Sequence, residues 1–125
     1  MMRMGLSLLI AVAMCGAAHA QEHTVTKVGI VAKPKAYTGA CPADIKFIAT
    51  IFVSRHPVTV TYQWERSDGA KSAPQKVEIT SSGRGVDTTW KLGAPGKTTT
   101  VWQKLHVLAP TGISSDPAEV TLDCR

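Results

Sequence analysis

Catalytic motifs are missing from this sequence of 125 residues. It has no G-x-S-x-G, no H-E-x-x-H and no glycine-rich phosphate loop, the patterns that mark many hydrolases and nucleotide-binding proteins. Nucleophilic catalysis needs a base within hydrogen-bond reach of a nucleophile, and no local pattern around His23, His56 or His106 supplies one. We therefore predict that the protein is not an enzyme and that it requires no cofactor.

The chain also has no dense run of positive charge. Its 14 basic and 9 acidic residues give a formal charge of +5, the lysines and arginines are scattered, and only 6% of the residues are aromatic. A nucleic-acid surface usually combines clustered cations with interleaved aromatic residues. We predict no nucleic-acid partner and a mixed, solvated surface, with weak attraction to anionic polysaccharide or lipid headgroups as the alternative.

Only one sustained apolar run is present, and it lies near the amino terminus. Residues 6–14 are mostly apolar, Arg3 precedes them, and Ala18 and Ala20 place small residues at −3 and −1 of a cleavage site. This pattern is typical of a signal peptide, and the run is too short for a transmembrane helix. We expect cleavage after Ala20, a single domain over residues 21–125 without a transmembrane segment, and a periplasmic or secreted destination in a Gram-negative bacterium.

A lipoprotein signal is the alternative for the same segment. Residues 12–15, VAMC, faintly resemble a lipobox in which Cys15 would be acylated. Met14 argues against acylation, because a small residue normally precedes the modified cysteine. We therefore expect cleavage by signal peptidase I rather than lipidation.

Cysteine is scarce, which limits the possible pairings. Of the three cysteines, Cys15 leaves with the signal peptide, so Cys41 and Cys124 remain. In an oxidising compartment these two should form a disulfide, worth about 4 to 5 kcal/mol as an upper estimate from the entropy of loop closure. A redox-active or metal-binding thiol pair is the alternative, but no C-x-x-C spacing or His/Cys cluster supports it.

Helical periodicity is absent from the mature chain, and apolar residues recur with a period of two. This alternation predicts seven strands, which we place at residues 24–31, 44–53, 58–66, 75–80, 86–92, 99–108 and 118–124. Lys33, Pro34 and Tyr37 fall in an irregular or edge segment. Seven short strands in a domain of this size predict an all-β, immunoglobulin-like antiparallel sandwich of two sheets.

The same alternation separates core residues from candidate surface residues. Trp64 and Trp90 continue apolar faces, so we predict that both lie in the core. Trp102, Lys104 and His106 share one face of a strand and could form a binding surface, although a solvated strand face is the simpler interpretation. Ile48 and Phe52 lie on the outer face of another strand. The two sets would form one exposed apolar patch only if they shared a sheet.

Several segments resemble a set of uncharacterised bacterial secreted domains of immunoglobulin-like type. The resemblance rests on residues 37–42 (YTGACP), 58–70 (VTVTYQWERSDGA), 90–93 (WKLG) and 102–107 (WQKLHV), together with Cys124. It implies a sandwich fold and export, and it carries no catalytic or ligand residues over to this chain. In antibody domains the bridge joins two central strands, whereas here Cys41 precedes a strand and Cys124 ends one. We therefore expect a disulfide that ties one end of the sandwich or a sheet edge.

Cleavage after Ala20 would create one possible metal site. In a mature chain that begins Gln21-Glu22-His23, the terminal amine, two deprotonated amides and the His23 imidazole could bind Cu(II) or Ni(II) in a square plane. Cyclisation of Gln21 would remove the amine. We therefore treat His23 as a candidate metal ligand whose binding should disappear when the amino terminus is blocked.

Two classes of function remain open from the sequence. The first is a non-enzymatic module that binds a protein or glycan through its loops or a sheet face, with edge-strand pairing into a homodimer as a variant. The second is an inhibitor of a hydrolase, or a protective factor against one. An inhibitor would need a long, constrained loop, and residues 67–74 and 93–97 are the only candidates.

Overall fold

The computed structural model describes residues 24–125, and all regular secondary structure within that range is β-strand. The strands are β1 (Val25–Lys33), β2 (Ala36–Gly39), β3 (Ala43–Val53), β4 (Val58–Arg66), β5 (Gln75–Ile79), β6 (Gly83–Leu92), β7 (Thr98–Ala109), β8 (Ile113–Ser114) and β9 (Ala118–Cys124). The signal segment with Cys15, and also Gln21 and His23, lie outside the described residues.

The strands form two sheets. A 3-stranded sheet has the order β1-β3-β6, and a 6-stranded sheet has the order β2-β9-β7-β4-β5 with β8 paired to β7. Inward side chains from both sheets belong to one hydrophobic core. The all-β fold with two sheets, predicted from the period-two pattern, is therefore confirmed.

Strict alternation explains why these segments are strands. In β3 the residues Ile45, Phe47, Ala49 and Ile51 are fully buried, while the residues between them are exposed or half-buried. Val60, Tyr62 and Trp64 repeat the pattern in β4, and the inward residues of β7 and β9 complete the core. Because successive side chains of a strand point to opposite faces, each segment presents one apolar face to the facing sheet.

The strand count and the pairing differ from the sequence-based prediction. The described chain has nine strands rather than seven, since β2 and β8 were not foreseen, and β6 begins at Gly83 instead of residue 86. Strand β2 also runs parallel to β9, so the sheets are not purely antiparallel. The chain leaves β1 at Pro34 and enters the other sheet, which is why the segment expected to be irregular contains a short strand.

The predicted disulfide between Cys41 and Cys124 is present and spans 83 residues of sequence. Cys41 lies between β2 and β3, and Cys124 is the last residue of β9, where it pairs with Gly39. The bridge ties one end of the sandwich, as expected. Gly93 covers it with a positive φ of 92°, and a Cβ atom there would lie 2.6 Å from the Cys124 sulfur. The close approach of this backbone therefore requires glycine.

Candidate functional site

The outer face of the 6-stranded sheet brings together the three residues predicted on the strand now defined as β7. Trp102, Lys104 and His106 alternate with inward residues, and the Lys104 ammonium lies 5.0 Å from the centroid of the Trp102 ring. Trp102 and His106 are half-buried. An ammonium over an indole is attracted by the ring electrons, so Lys104 holds a defined position above Trp102.

Strand β4 adds a carboxylate that the sequence analysis did not single out. Glu65 pairs with Lys104 in the β4–β7 register, and its Oε2 lies 3.8 Å from the Lys104 ammonium. His106 is hydrogen-bonded through Nε2 to Glu65 and through Nδ1 to Ser114 of β8. We call Glu65, Trp102, Lys104, His106 and Ser114 the β7 cluster.

The hydrogen bonds define the protonation pattern of this cluster. An ionised carboxylate only accepts, so Nε2 of His106 donates to Glu65. Nδ1 accepts from the Ser114 hydroxyl when the ring is neutral and donates to Ser114 when the ring is protonated. The hydrogen bond from His106 lowers the pKa of Glu65 against an opposing effect of desolvation, and the charges of His106, Lys104 and Lys71 lower it further. Glu65 is therefore held in its ionised form.

The order serine, histidine, carboxylate resembles that of a hydrolase triad, but the ring nitrogens are exchanged. In the serine-protease arrangement Nε2 faces the nucleophile and Nδ1 faces the carboxylate. Here Ser114 faces Nδ1 and Glu65 faces Nε2. Ser114 is also paired with His106 as a neighbouring strand residue. The contacts therefore suit orientation of a surface imidazole better than activation of a nucleophile.

Ile48 and Phe52 lie on the outer face of the 3-stranded sheet, away from the β7 cluster. Ile48 pairs with Val31 of β1, and Phe52 pairs with Gly83 of β6 and has the Lys27 ammonium 5.9 Å from its ring centroid. Phe52 is exposed, whereas Ile48 is half-buried. The two predicted sets occupy the outer faces of different sheets, so they do not join into one patch.

A cleft of about 260 Å³ opens between β6 of one sheet and β4 with the following loop of the other. Its walls comprise Trp64, Arg66, Ala70, Lys71, Ser72, Gln75, Thr88, Thr89, Trp90 and Gln103. Trp64 is buried, as predicted. Trp90 was also predicted to lie in the core, but it is only half-buried, because β6 is an edge strand and its inward face is open beside the cleft.

Arg66 spans the gap between the sheets at this cleft. Its guanidinium carbon lies 4.6 Å from the Trp90 ring centroid, and its Nη2 donates to Asp68 at 3.0 Å. Asp68 also accepts from the backbone N–H of Ala70, and this bond, with the Arg66 contact, lowers the pKa of Asp68. The turn after β4 therefore orients the cation that joins the two sheets.

Gln103 is an unusual residue at the inner end of the cleft. It occupies an inward position of β7, between Val101 and Leu105, and it is only 2% exposed. Its side-chain Nε2 is buried and has no hydrogen-bond partner in the described structure. The sequence signal for this residue is an amide that interrupts an otherwise apolar strand face.

The two loops proposed for an inhibitor are both fastened to the strands beside them. In the loop over residues 67–74, Ser67 donates to the Trp102 carbonyl, and the Ser72 hydroxyl accepts from the backbone N–H of Trp64. In the loop over residues 93–97, the backbone of Gly96 and of Lys97 is bonded to Cys124. Both loops are held close to the body of the domain.

No family model matches the chain, and the search of curated proteins found no match to it. Over residues 24–125, no three His, Cys, Asp or Glu side chains are grouped so that they could hold a metal ion. The same part of the chain has no helix of the length and apolarity needed to cross a membrane. The candidate site is therefore defined by geometry alone.

Proposed function

We propose that this protein is an exported, non-enzymatic binding module of immunoglobulin-like type that contacts a protein partner through the β7 cluster. The observation that carries the proposal is the fixed arrangement of Trp102, Lys104, His106 and Glu65 on the outer face of the 6-stranded sheet. Interfaces of proteins are enriched in tryptophan at the energetically dominant positions.

The sheet order supports the immunoglobulin-like assignment. Strands β1, β3 and β6 correspond to A, B and E of such a domain, and β9, β7, β4 and β5 correspond to G, F, C and C′. The bridge departs from the antibody pattern, because it joins the segment before B to the end of G. The assignment therefore rests on sheet order rather than on the disulfide.

Export is supported by the disulfide together with the amino-terminal sequence. Structural disulfides persist mainly in oxidising compartments such as the periplasm and the cell exterior. The Cys41–Cys124 bridge and the charged, then apolar, leader with small residues before Gln21 favour the same destination. We therefore assign the protein to the periplasm or the exterior.

The charges around the β7 cluster favour a protein over an anionic polymer. Glu119 pairs with Trp102 in the β7–β9 register, and Asp123 and Glu78 are exposed on the same face. These carboxylates repel a polyanion, whereas a protein surface can offer complementary charges and an apolar pocket for Trp102. The fastened loops make an inhibitor that inserts a loop into a cleft a less suitable function.

Quantitative recovery of binding proteins tests this proposal. Immobilised wild type, Trp102→Ala and Val31→Ala would be exposed to extracellular and periplasmic extracts of the native bacterium. We expect at least one protein that Val31→Ala recovers as well as wild type and that Trp102→Ala recovers at least about tenfold less, since a central tryptophan is worth 2 kcal/mol or more. Val31 is a matched control because it is an exposed apolar residue of the other sheet. Equal recovery by both variants would exclude the β7 cluster as the contact.

A further inference from the structure

We propose that the cleft beside Gln103 is a second binding site, which takes a small polyhydroxylated carboxylate such as a sugar acid. This site is separate from the β7 cluster, because it opens between the two sheets beside the loop after β4, while the cluster lies on the outer face of the 6-stranded sheet. The inference therefore does not depend on the proposed protein partner.

The buried amide of Gln103 offers a ligand an unpaired hydrogen-bond donor beside the cleft. Buried polar atoms in folded proteins nearly always have a partner. Gln103 borders the cleft, its side chain is almost wholly enclosed, and no described protein atom accepts from its Nε2. An acceptor oxygen that enters the cleft can satisfy this amide.

The charge of the cleft favours an acceptor that is an anion. Among the described residues that line it, Arg66 and Lys71 are cationic and none is acidic. Asp68 takes hydrogen bonds from Nε and Nη2 of Arg66, and a guanidinium has five N–H groups in a planar fork. Asp68 uses two of these groups, so the N–H groups that remain on Nη1 and Nη2 are the ones that a ligand carboxylate can bind together with the neighbouring amide.

The size and the remaining walls restrict the ligand further. A volume of about 260 Å³ lies below the range of pockets for drug-sized molecules, so the cleft suits a ligand of one small ring. The lining includes Ser72 and Thr88, and Thr88 lies on the inward face of β6 with Trp90. Hydroxyls recognise hydroxyls by mutual hydrogen bonding, which selects a sugar acid over an apolar acid.

The side-chain amide of Gln103 offers a direct reporter of binding. The purified, oxidised protein, labelled with ¹⁵N, would be titrated with D-galacturonate and, separately, with D-galactose, which lacks the carboxylate, and with sodium chloride. We expect galacturonate to shift the Gln103 side-chain resonance saturably, with a Kd of about 1 mM or tighter, and the other two to shift it at least about tenfold less.

Variants then test whether the shift reports the cleft. Gln103→Leu should weaken galacturonate binding by about tenfold or more, read from the backbone amides of Lys71 and Trp90, because an amide donor that faces an anion is lost. Gln63→Leu is the matched control, since Gln63 lies on the outer face of β4 opposite His106.

Three results would overturn the inference. Equal shifts with galactose would show that the carboxylate is not recognised. Equal shifts with sodium chloride would show only general screening of Arg66 and Lys71. Absence of any shift at Gln103 with galacturonate would show that the cleft does not bind a sugar acid.

Discussion

The two sides of this sandwich are closed in different ways. At one end, the Cys41–Cys124 disulfide covalently links the chain before β3 to the end of β9, and the backbone of Gly93 packs against both sulfurs. At the cleft, the sheets are joined across the gap by the Arg66 guanidinium over Trp90. We call these regions the closed end and the open edge. The difference separates a region that stabilises the domain from a region that can admit a ligand.

Removal of the disulfide at the closed end should lower the stability of the domain more than any other change considered. Cys41→Ser together with Cys124→Ser should lower the free energy of unfolding by about 4 kcal/mol, because an 83-residue loop in the unfolded chain is released. Urea unfolding of the oxidised wild type and the double variant measures this loss. A loss below about 1 kcal/mol would contradict a dominant role for the closed end.

A side chain at residue 93 should also lower the stability, because it would collide with the disulfide. Gly93→Ala places a Cβ 2.6 Å from the Cys124 sulfur and 2.9 Å from the Cys41 sulfur, in a backbone with positive φ. We expect a loss of about 1 to 3 kcal/mol in thermal or urea unfolding. Gly96→Ala is the control, because its φ is also positive but its Cβ would meet no atom within 4 Å. Equal losses would show that backbone strain, rather than contact with the disulfide, requires glycine.

Loss of the Arg66 cation at the open edge should lower the stability by less than either change at the closed end. Arg66→Gln removes the interaction with Trp90 and should lower stability by about 0.5 to 1 kcal/mol. We also expect the variant to exchange amide hydrogens faster than wild type, measured by mass spectrometry. The increase should be larger in β5 than in β9, because β5 borders the side that the variant loosens. Lys91→Gln, on the outer face of β6, should change neither quantity. Slower or unchanged exchange in β5 would contradict the bridging role of Arg66.

The β7 cluster should make a still smaller contribution, which appears in the dependence of the unfolding free energy on acid pH. Because the folded state lowers the pKa of Glu65 from its ordinary value of 4.5, the stabilisation is complete above about pH 4.5 and is lost as the pH falls through the lower, folded value. Glu65→Gln should remove this part of the acid dependence of unfolding. Glu78→Gln, an exposed carboxylate of the same face, is the control. An unchanged acid slope in Glu65→Gln would contradict the assigned hydrogen bond.

The smallest effect is expected from a serine-directed reagent. If Ser114 only orients His106, a fluorophosphonate probe should not label the protein above the level of Ser114→Ala, measured by intact mass. Stoichiometric labelling of Ser114 would contradict the non-enzymatic proposal. It would show that Ser114 is a reactive nucleophile although the two ring nitrogens of His106 are exchanged relative to a serine-protease triad.

The alternation of apolar and polar residues predicted the long strands, each of which buries one apolar face. Strands β3, β4, β7 and β9 carry long alternating faces, and the pairing of Cys41 with Cys124 followed once Cys15 was assigned to the leader. Strands β2 and β8 have four and two residues, and their identity depends on partners far along the chain. No local period can report such pairing.

The candidate sites required knowledge of register and edges. Trp102, Lys104 and His106 were predicted to share a face, but the contact with Glu65 follows from the β4–β7 register, which the sequence does not display. Trp90 has the alternation of a core residue, and its partial exposure follows from β6 lying at a sheet edge. A prediction of burial from period alone cannot distinguish an edge strand from a central one.

Site-specific photocrosslinking in the source organism tests the central claim most directly. A photoreactive residue would replace Thr100, on the outer face of β7 two residues before Trp102, or Val31, on the outer face of the other sheet. The account predicts a defined protein adduct, with another protein or with a second copy of this chain, from position 100 and none from position 31. Adducts from position 31 alone would contradict the claim that the β7 cluster is the contact surface.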